Sequence, residues 1–262
     1  MIRQKEGNMK DLLRQIAVIV TILVTIVVNV LANALPLNGL NTGEISDRFQ
    51  VYFVPAGYVF SIWGLIYIGL IVYAIYQALP VQRENPRLRK TGWWVVLSGL
   101  ANSAWIFLWH YEQFPLTIIA MLALLLFLIV IYLRLGVARI DVPAAEKWAV
   151  RLPFSIYLGW ITVATVANAT ALLNYLNWNG FGLSDFTWMW IMLAAVLAIA
   201  VLMNFSRRDI AYALVLLWAL AGIALKFASV SIVAIPTWIT FGLVLLTLLL
   251  AFLSKQKRSL SK

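Results

Sequence analysis

The sequence predicts an all-α, polytopic membrane protein with eight transmembrane helices, and three observations predict it. Of 262 residues, 63% are hydrophobic and 11% charged, too little charge to cover a soluble domain. The apolar residues fall in blocks of about 18–25, the length that crosses a bilayer core of roughly 30 Å as a helix. Lys and Arg collect in alternate connections between the blocks, as cytoplasmic loops require. Helices satisfy their own backbone groups in hydrocarbon, and isolated strands do not. The alternation of an outer-membrane barrel is absent.

The first span is read over 13–35. Its basic start and Ala32-Asn33-Ala34 look like a secretory leader with its cleavage site. The apolar stretch exceeds the roughly 7–15 residues of a leader core, so it is read as a retained anchor. The second span, 56–79, follows a long connection from Pro36 to Pro55. The third, 93–110, follows the breakers Pro80 and Pro86, and the fourth covers 115–135. The fifth, 150–174, follows Pro143. The sixth, 186–204, follows Asn177-Trp178-Asn179-Gly180. The seventh, 210–227, follows Ser206-Arg207-Arg208-Asp209, and the eighth covers 235–253.

With the amino terminus in the cytoplasm, eighteen of the 20 Lys and Arg fall on that side. They lie in the amino-terminal tail (Arg3, Lys5, Lys10, Arg14), between spans two and three (Arg83, Arg87, Arg89, Lys90) and between spans four and five (Arg134, Arg139, Lys147, Arg151). Arg207, Arg208 and the carboxy-terminal Lys255, Lys257, Arg258 and Lys262 complete the set. Arg48 and Lys226 fall outside. A miscounted helix would scramble this alternation, so count and orientation support each other. The chain is read as a multi-pass cell-membrane protein with both termini cytoplasmic.

Several function classes recede. The net charge of +10 is split among short loops, with no basic face for nucleic acid. There is no cysteine and His110 is the sole histidine, so thiol chemistry and a multi-histidine metal site within one chain are excluded. No Asp or Glu lies well inside a span, which argues against an ion-driven pump. No internal repeat of the transporter kind is visible. No nucleophile with its base marks an enzyme. Lys226 ends the seventh span, where its stem can reach the interface.

The deep aromatic residues carry the most information. Trp and Tyr ordinarily mark the interfaces. Here Trp63, Asn102, Trp105 and Asn168, from three spans, lie roughly 8–12 Å below the outer surface at 1.5 Å per residue. Phe60, Tyr67 and Trp109 lie within a turn or two. Two readings compete. The aromatics fill gaps and the Asn side chains bond across helices, or together they line a pocket open to the outer side. His110, at the outer end of the third span, is expected to be easily solvated, with contact to a ligand carboxylate or a haem iron as the alternative. Glu44, Asp47 and Arg48 lie in the long outer loop, read either as a lid or as a solvated connector.

These residues resemble the TspO/MBR family of tryptophan-rich sensory proteins, related to the mitochondrial translocator protein. The second span reads Pro55-Ala56-Gly57-Tyr58-Val59-Phe60-Ser61-Ile62-Trp63, then Tyr67, similar to the family's Pro-Pro-x-Trp-x-Phe segment leading to Trp and Tyr four apart. The third has Asn102-x-x-Trp105 with Trp109 one turn on. The fifth has Trp160-x3-Ala164-x3-Asn168. Ala56 and Tyr58 depart from the usual second Pro and Trp, and the spacing before Trp63 is one residue shorter. Pro153-Phe154 stands further ahead of Trp160 than the family's Pro-Tyr, and Ser98 stands where Gln is common. The resemblance covers the first five spans, and three more follow.

The resemblance implies a TspO-like five-helix bundle over 11–175 and a three-helix extension over 184–253. It implies a pocket beneath the first loop, formed by Phe60, Trp63, Tyr67, Asn102, Trp105, Trp109, Trp160 and Asn168. The family's ligands are tetrapyrroles such as porphyrin and haem, and in some members sterols. The expected function is binding or sensing of a flat hydrophobic molecule, carotenoid-like molecules included, with no obligatory cofactor. Transport of such a molecule and a membrane scaffold are the alternatives. The partners expected are that small molecule and the lipid bilayer, with a homodimer left open.

Overall fold

The computed structural model describes the backbone of residues 2–35 and 37–260 and the side chains of 8–35 and 37–254. The side chains of Arg3, Lys5, Lys255, Lys257 and Arg258, and all of Pro36 and Lys262, lie outside the described residues.

Among the described residues there is no strand, and the expected all-α architecture is observed. Eight long helices run up and down. They are α1 (Ile2–Ala34), α3 (Ile62–Ala78), α4 (Pro86–His110), α5 (Phe114–Arg134), α7 (Leu152–Tyr175), α8 (Asp185–Ser206), α9 (Ile210–Lys226) and α10 (Ser231–Leu260). Two short helices lie between them, α2 (Thr42–Asp47) and α6 (Ala144–Glu146). Six of the long helices are long and apolar enough to cross a membrane. The other two are α9, which is apolar but 17 residues long, and α4. The latter carries Ser98, Asn102, Ser103 and His110 with four Trp, which lower its hydropathy.

The chemistry of the ends explains where helices begin. Pro86, Pro115 and Pro153 occupy first-turn positions, where a missing N–H costs nothing. Asn85, Ser184 and Asp209 accept from backbone N–H groups at the starts of α4, α8 and α9. A π-helical turn, Lys147–Arg151, joins α6 to α7 just before Pro153. Pro236 lies inside α10 and leaves the Ile232 carbonyl without its helical donor. Trp190 Nε1 of α8 takes up that carbonyl at 3.3 Å, as a freed polar group in hydrocarbon demands.

Five helices form a closed ring: α4 packs between α1 and α5, α7 between α5 and α3, and α3 returns to α1. The last three form a second group in which α8 and α9 both pack on α10. It joins the ring through α9 against α7. Gly159 permits that approach, because a Cβ there would lie 3.1 Å from Val215 Cβ and 3.2 Å from the Tyr212 carbonyl. At the start of α9, buried Asp209 also accepts hydrogen bonds from Tyr132 (2.8 Å) and Ser155 (2.6 Å) of the ring. Beyond this joint, Ala56 N–H donates to the Gly222 carbonyl at 3.3 Å and Trp218 Nε1 to the Val59 carbonyl at 3.1 Å.

The end of the molecule opposite α2 carries most of the described charges. Arg89 pairs with Asp11 of α1, and Arg87 makes a two-pronged pair with Glu146. Arg14 reaches the Arg83 carbonyl at 2.8 Å. These bonds tie α1 and α6 to the start of α4.

Gly159→Leu is expected to push α9 off α7 and destabilise the protein by about 1–3 kcal/mol. The measurement is a lowered thermal midpoint in detergent. An unchanged midpoint would mean that this approach is not close in the folded protein.

Candidate ligand-binding site

The site lies beneath α2, where α3, α4 and α7 converge. Helical periodicity sets which side chains meet there. On α4, Trp105 and Trp109 are one turn apart and stack at 5.4 Å. On α7, Trp160, Val163, Ala164, Ala167 and Asn168 recur at three- and four-residue spacing. On α3 and the 3-10 turn Gly57–Ser61 that precedes it, Phe60 and Trp63 face Trp160 edge-on at 5.7 and 6.3 Å.

Together these residues line one cavity, with Thr42, Ser46, Val54 and Pro55 above and Met121 of α5 at the side. Six of the eight site residues predicted from sequence are among its walls: Phe60, Trp63, Trp105, Trp109, Trp160 and Asn168. Tyr67 and Asn102 are not. Tyr67 stacks behind Trp63 at 5.6 Å. Asn102, fully buried, donates to the Tyr157 hydroxyl at 2.9 Å and accepts from Asn29 of α1 at 2.7 Å. Sequence reasoning passed over Val163 and Ala167, although their spacing from Trp160 signals them. Thr42, Ser46 and Met121 carry no such signal, because they reach the cavity only through tertiary packing.

Polar groups in the walls are mostly engaged. Trp105 Nε1 donates to Asn168 Oδ1 at 3.0 Å, and Asn168 Nδ2 donates to Thr117 at 2.9 Å. Trp109 Nε1 donates to the Thr42 carbonyl at 3.2 Å. Trp160 differs. It is 2% exposed, and its Nε1–H has no acceptor among the described residues. A buried donor without a partner costs roughly 1–3 kcal/mol, which an oxygen or nitrogen acceptor on a ligand would recover. The cavity volume is about 50 Å³, room for a few water molecules and far below the roughly 300–1,000 Å³ of ordinary ligand pockets. In this conformation the cavity is too small for an ordinary ligand.

The cover is a built element. Asn41 caps α2 in a reciprocal capping box with Glu44, the two bonds being 2.9 and 2.7 Å. His110 pins it from below, and here the sequence expectation is corrected. It is fully buried rather than easily solvated, because loop 37–42 folds over it. Its Nε2 lies 3.1 Å from the Thr42 hydroxyl and its Nδ1 3.1 Å from the Leu37 carbonyl. With both ring nitrogens engaged, it has no free nitrogen for a haem iron. Two ion pairs fasten the rim: Arg48 with Glu112, and Lys226 of α9 with Asp47 at 2.6 Å. Lys226 is thus a cross-molecule tie. No group of three or more potential metal ligands occurs among the described residues.

A family model described as TSPO-like protein matches residues 15–252. The chain belongs to the TSPO-like family. The match runs from α1 through α8 and α9 into α10, so it takes in the three helices beyond the five that carry the motifs. Family membership and the apolar helices together make this a multi-pass membrane protein in contact with the lipid bilayer. No curated protein and no solved structure matches the chain.

His110→Ala removes both pins of loop 37–42 and is expected to raise hydrogen exchange across 37–48 by about tenfold, the equivalent of one to two lost hydrogen bonds. Exchange in α7 is expected to stay as in the parent. Exchange mass spectrometry reads both, and a uniform rise would point to general destabilisation instead.

Proposed function

We propose that this TSPO-like protein is an integral membrane binding protein or sensor for a flat hydrophobic ligand, a tetrapyrrole such as porphyrin or haem, or a sterol- or carotenoid-like molecule. The observation that carries the reading is the meeting of Phe60, Trp63, Trp105, Trp109, Trp160 and Asn168 around one cavity, with the Trp160 donor buried and unpartnered. Apolar walls with a few placed polar groups are the usual form of a small-molecule site. Aromatic faces suit a flat ligand through stacking, and the Trp160 N–H suits one edge acceptor on it.

A ligand of that size requires the cavity to widen. Over it lies α2, a six-residue helix whose rim is fastened by two exposed ion pairs, the kind of segment that opens at low cost. Binding therefore goes with lifting of α2. No step needs a bound cofactor, and a porphyrin would enter as ligand, its recognition resting on these side chains.

The same reading takes residues 11–175 as the binding core and 184–253 as an extension. It takes all eight long helices as spans, with both termini in the cytoplasm of a cell-membrane protein. The Lys and Arg distribution supports that orientation and puts α2 on the outer face. A reporter fused after Asn179 is expected to be extracytoplasmic, and a cytoplasmic signal would reverse the topology.

For the site, titration of the purified protein with protoporphyrin should quench tryptophan fluorescence saturably. Trp105→Leu should weaken binding by about tenfold or more, as loss of a packed aromatic anchor does. Absence of saturable binding for a porphyrin, a sterol and a carotenoid alike would remove this function.

A further inference from the structure

A second cavity, of about 90 Å³, lies at the seam between the ring and the last three helices, on the same end as α2. The segment 50–53 after α2, the end of α7 and the first two turns of α8 bound it. It shares no wall residue with the cavity beneath α2. We propose that it is a binding site for an alkylated ammonium group.

Three features carry the assignment. The first is aromatic. Trp178 and Trp188 both line the cavity, with ring centroids 4.8 Å apart and planes at 57°, so they form a corner of two π faces. Tyr52 adds a third ring. The negative faces of such rings attract cations, quaternary ammonium groups above all. The second is rigidity. Trp188 Nε1 donates to the Gly180 carbonyl at 2.9 Å. Gly180 has φ +63°, and a Cβ there would lie 3.0 Å from that nitrogen. The turn is thus built to hold the indole in place, which limits the ordering cost of binding.

The third is charge. Asp185 lines the cavity, and no ion pair engages it among the described residues. The two basic side chains at this end among the described residues, Arg48 and Lys226, are neutralised by Glu112 and Asp47. A carboxylate at the first position of a helix is stabilised by the helix dipole alone. Its place beside two indoles, with no basic residue in the lining, adds attraction for a cation. Met189 and Met192 complete a soft wall suited to methyl groups. The ligand is a quaternary or methylated amine, either a choline-type lipid headgroup or a free amine.

The test uses the full-length protein in maltoside micelles. Choline is titrated by saturation-transfer NMR beside 3,3-dimethyl-1-butanol, its uncharged isostere. Choline should bind saturably, with the isostere weaker by about tenfold. Asp185→Asn and Trp178→Leu should each weaken choline by about tenfold, while Trp105→Leu should not. Asp185 is exposed, so its variant should melt as the parent does, and it decides alone if Trp178→Leu unfolds. Added phosphatidylcholine that suppresses choline binding assigns the site to a lipid headgroup, and undiminished binding assigns it to a free amine. No saturable choline binding, equal binding of the isostere, or parental affinity in Asp185→Asn would overturn the proposal.

Discussion

An amide inside an apolar helix bundle needs a hydrogen-bond partner, and the rest of this structure depends on two that find theirs on other helices. Asn102 joins α1, α4 and α7 through Asn29 and Tyr157. Asn168 joins α4, α7 and α5 through Trp105 and Thr117. With no water in the hydrocarbon core, each group left alone would cost several kcal/mol. The rotation of α4 and α7 about their axes is therefore fixed. That rotation turns Trp105, Trp109 and Trp160 to one side and makes the cavity. It also explains why α4 is among the least apolar of the long helices: lying between α1 and α5, it is lined with partners. The two readings of the deep Asn and Trp residues are accordingly complementary. The Asn side chains do bond across helices, and in doing so they set the walls of a cavity.

The joint between the ring and the last three helices follows the same rule with a charged group. Asp209 caps α9 through its own backbone neighbour while accepting from Tyr132 and Ser155. One carboxylate thereby orders α5, α7 and α9. Its burial is compensated by three donors, which is what a buried acid requires.

The helices were legible because a bilayer leaves little choice: long apolar runs in such a chain can only be helices. Proline and charge gave their ends. Six of the eight predicted residues line the cavity, because motifs on a helix place side chains by period alone. Tyr67 and Asn102 were assigned to the walls because depth was visible and rotation was not. His110 was misjudged for a related reason. A residue at a helix end looks solvated until a loop some seventy positions away in sequence folds over it, and nothing local to His110 announces that loop. Lys226 likewise meets Asp47 across 179 positions. The acid at Asp209 was read as part of a turn, and its burial depended on hydroxyls from two other helices.

The bond from Trp218 to the Val59 carbonyl bears on how the molecule is made. The turn that opens α3 is secured by a residue 159 positions later, and the Ala56 N–H waits for Gly222 in the same way. During synthesis, the ring helices leave the ribosome before α9 exists. Until then the start of α3 has polar backbone groups without their partners, and the wall at Phe60 and Trp63 has no backing. Assembly of the end that carries the cavity therefore finishes from the carboxy-terminal side, after α9 has formed. A chain stopped short of that helix would leave the translocation machinery with its ring formed and its mouth unfinished.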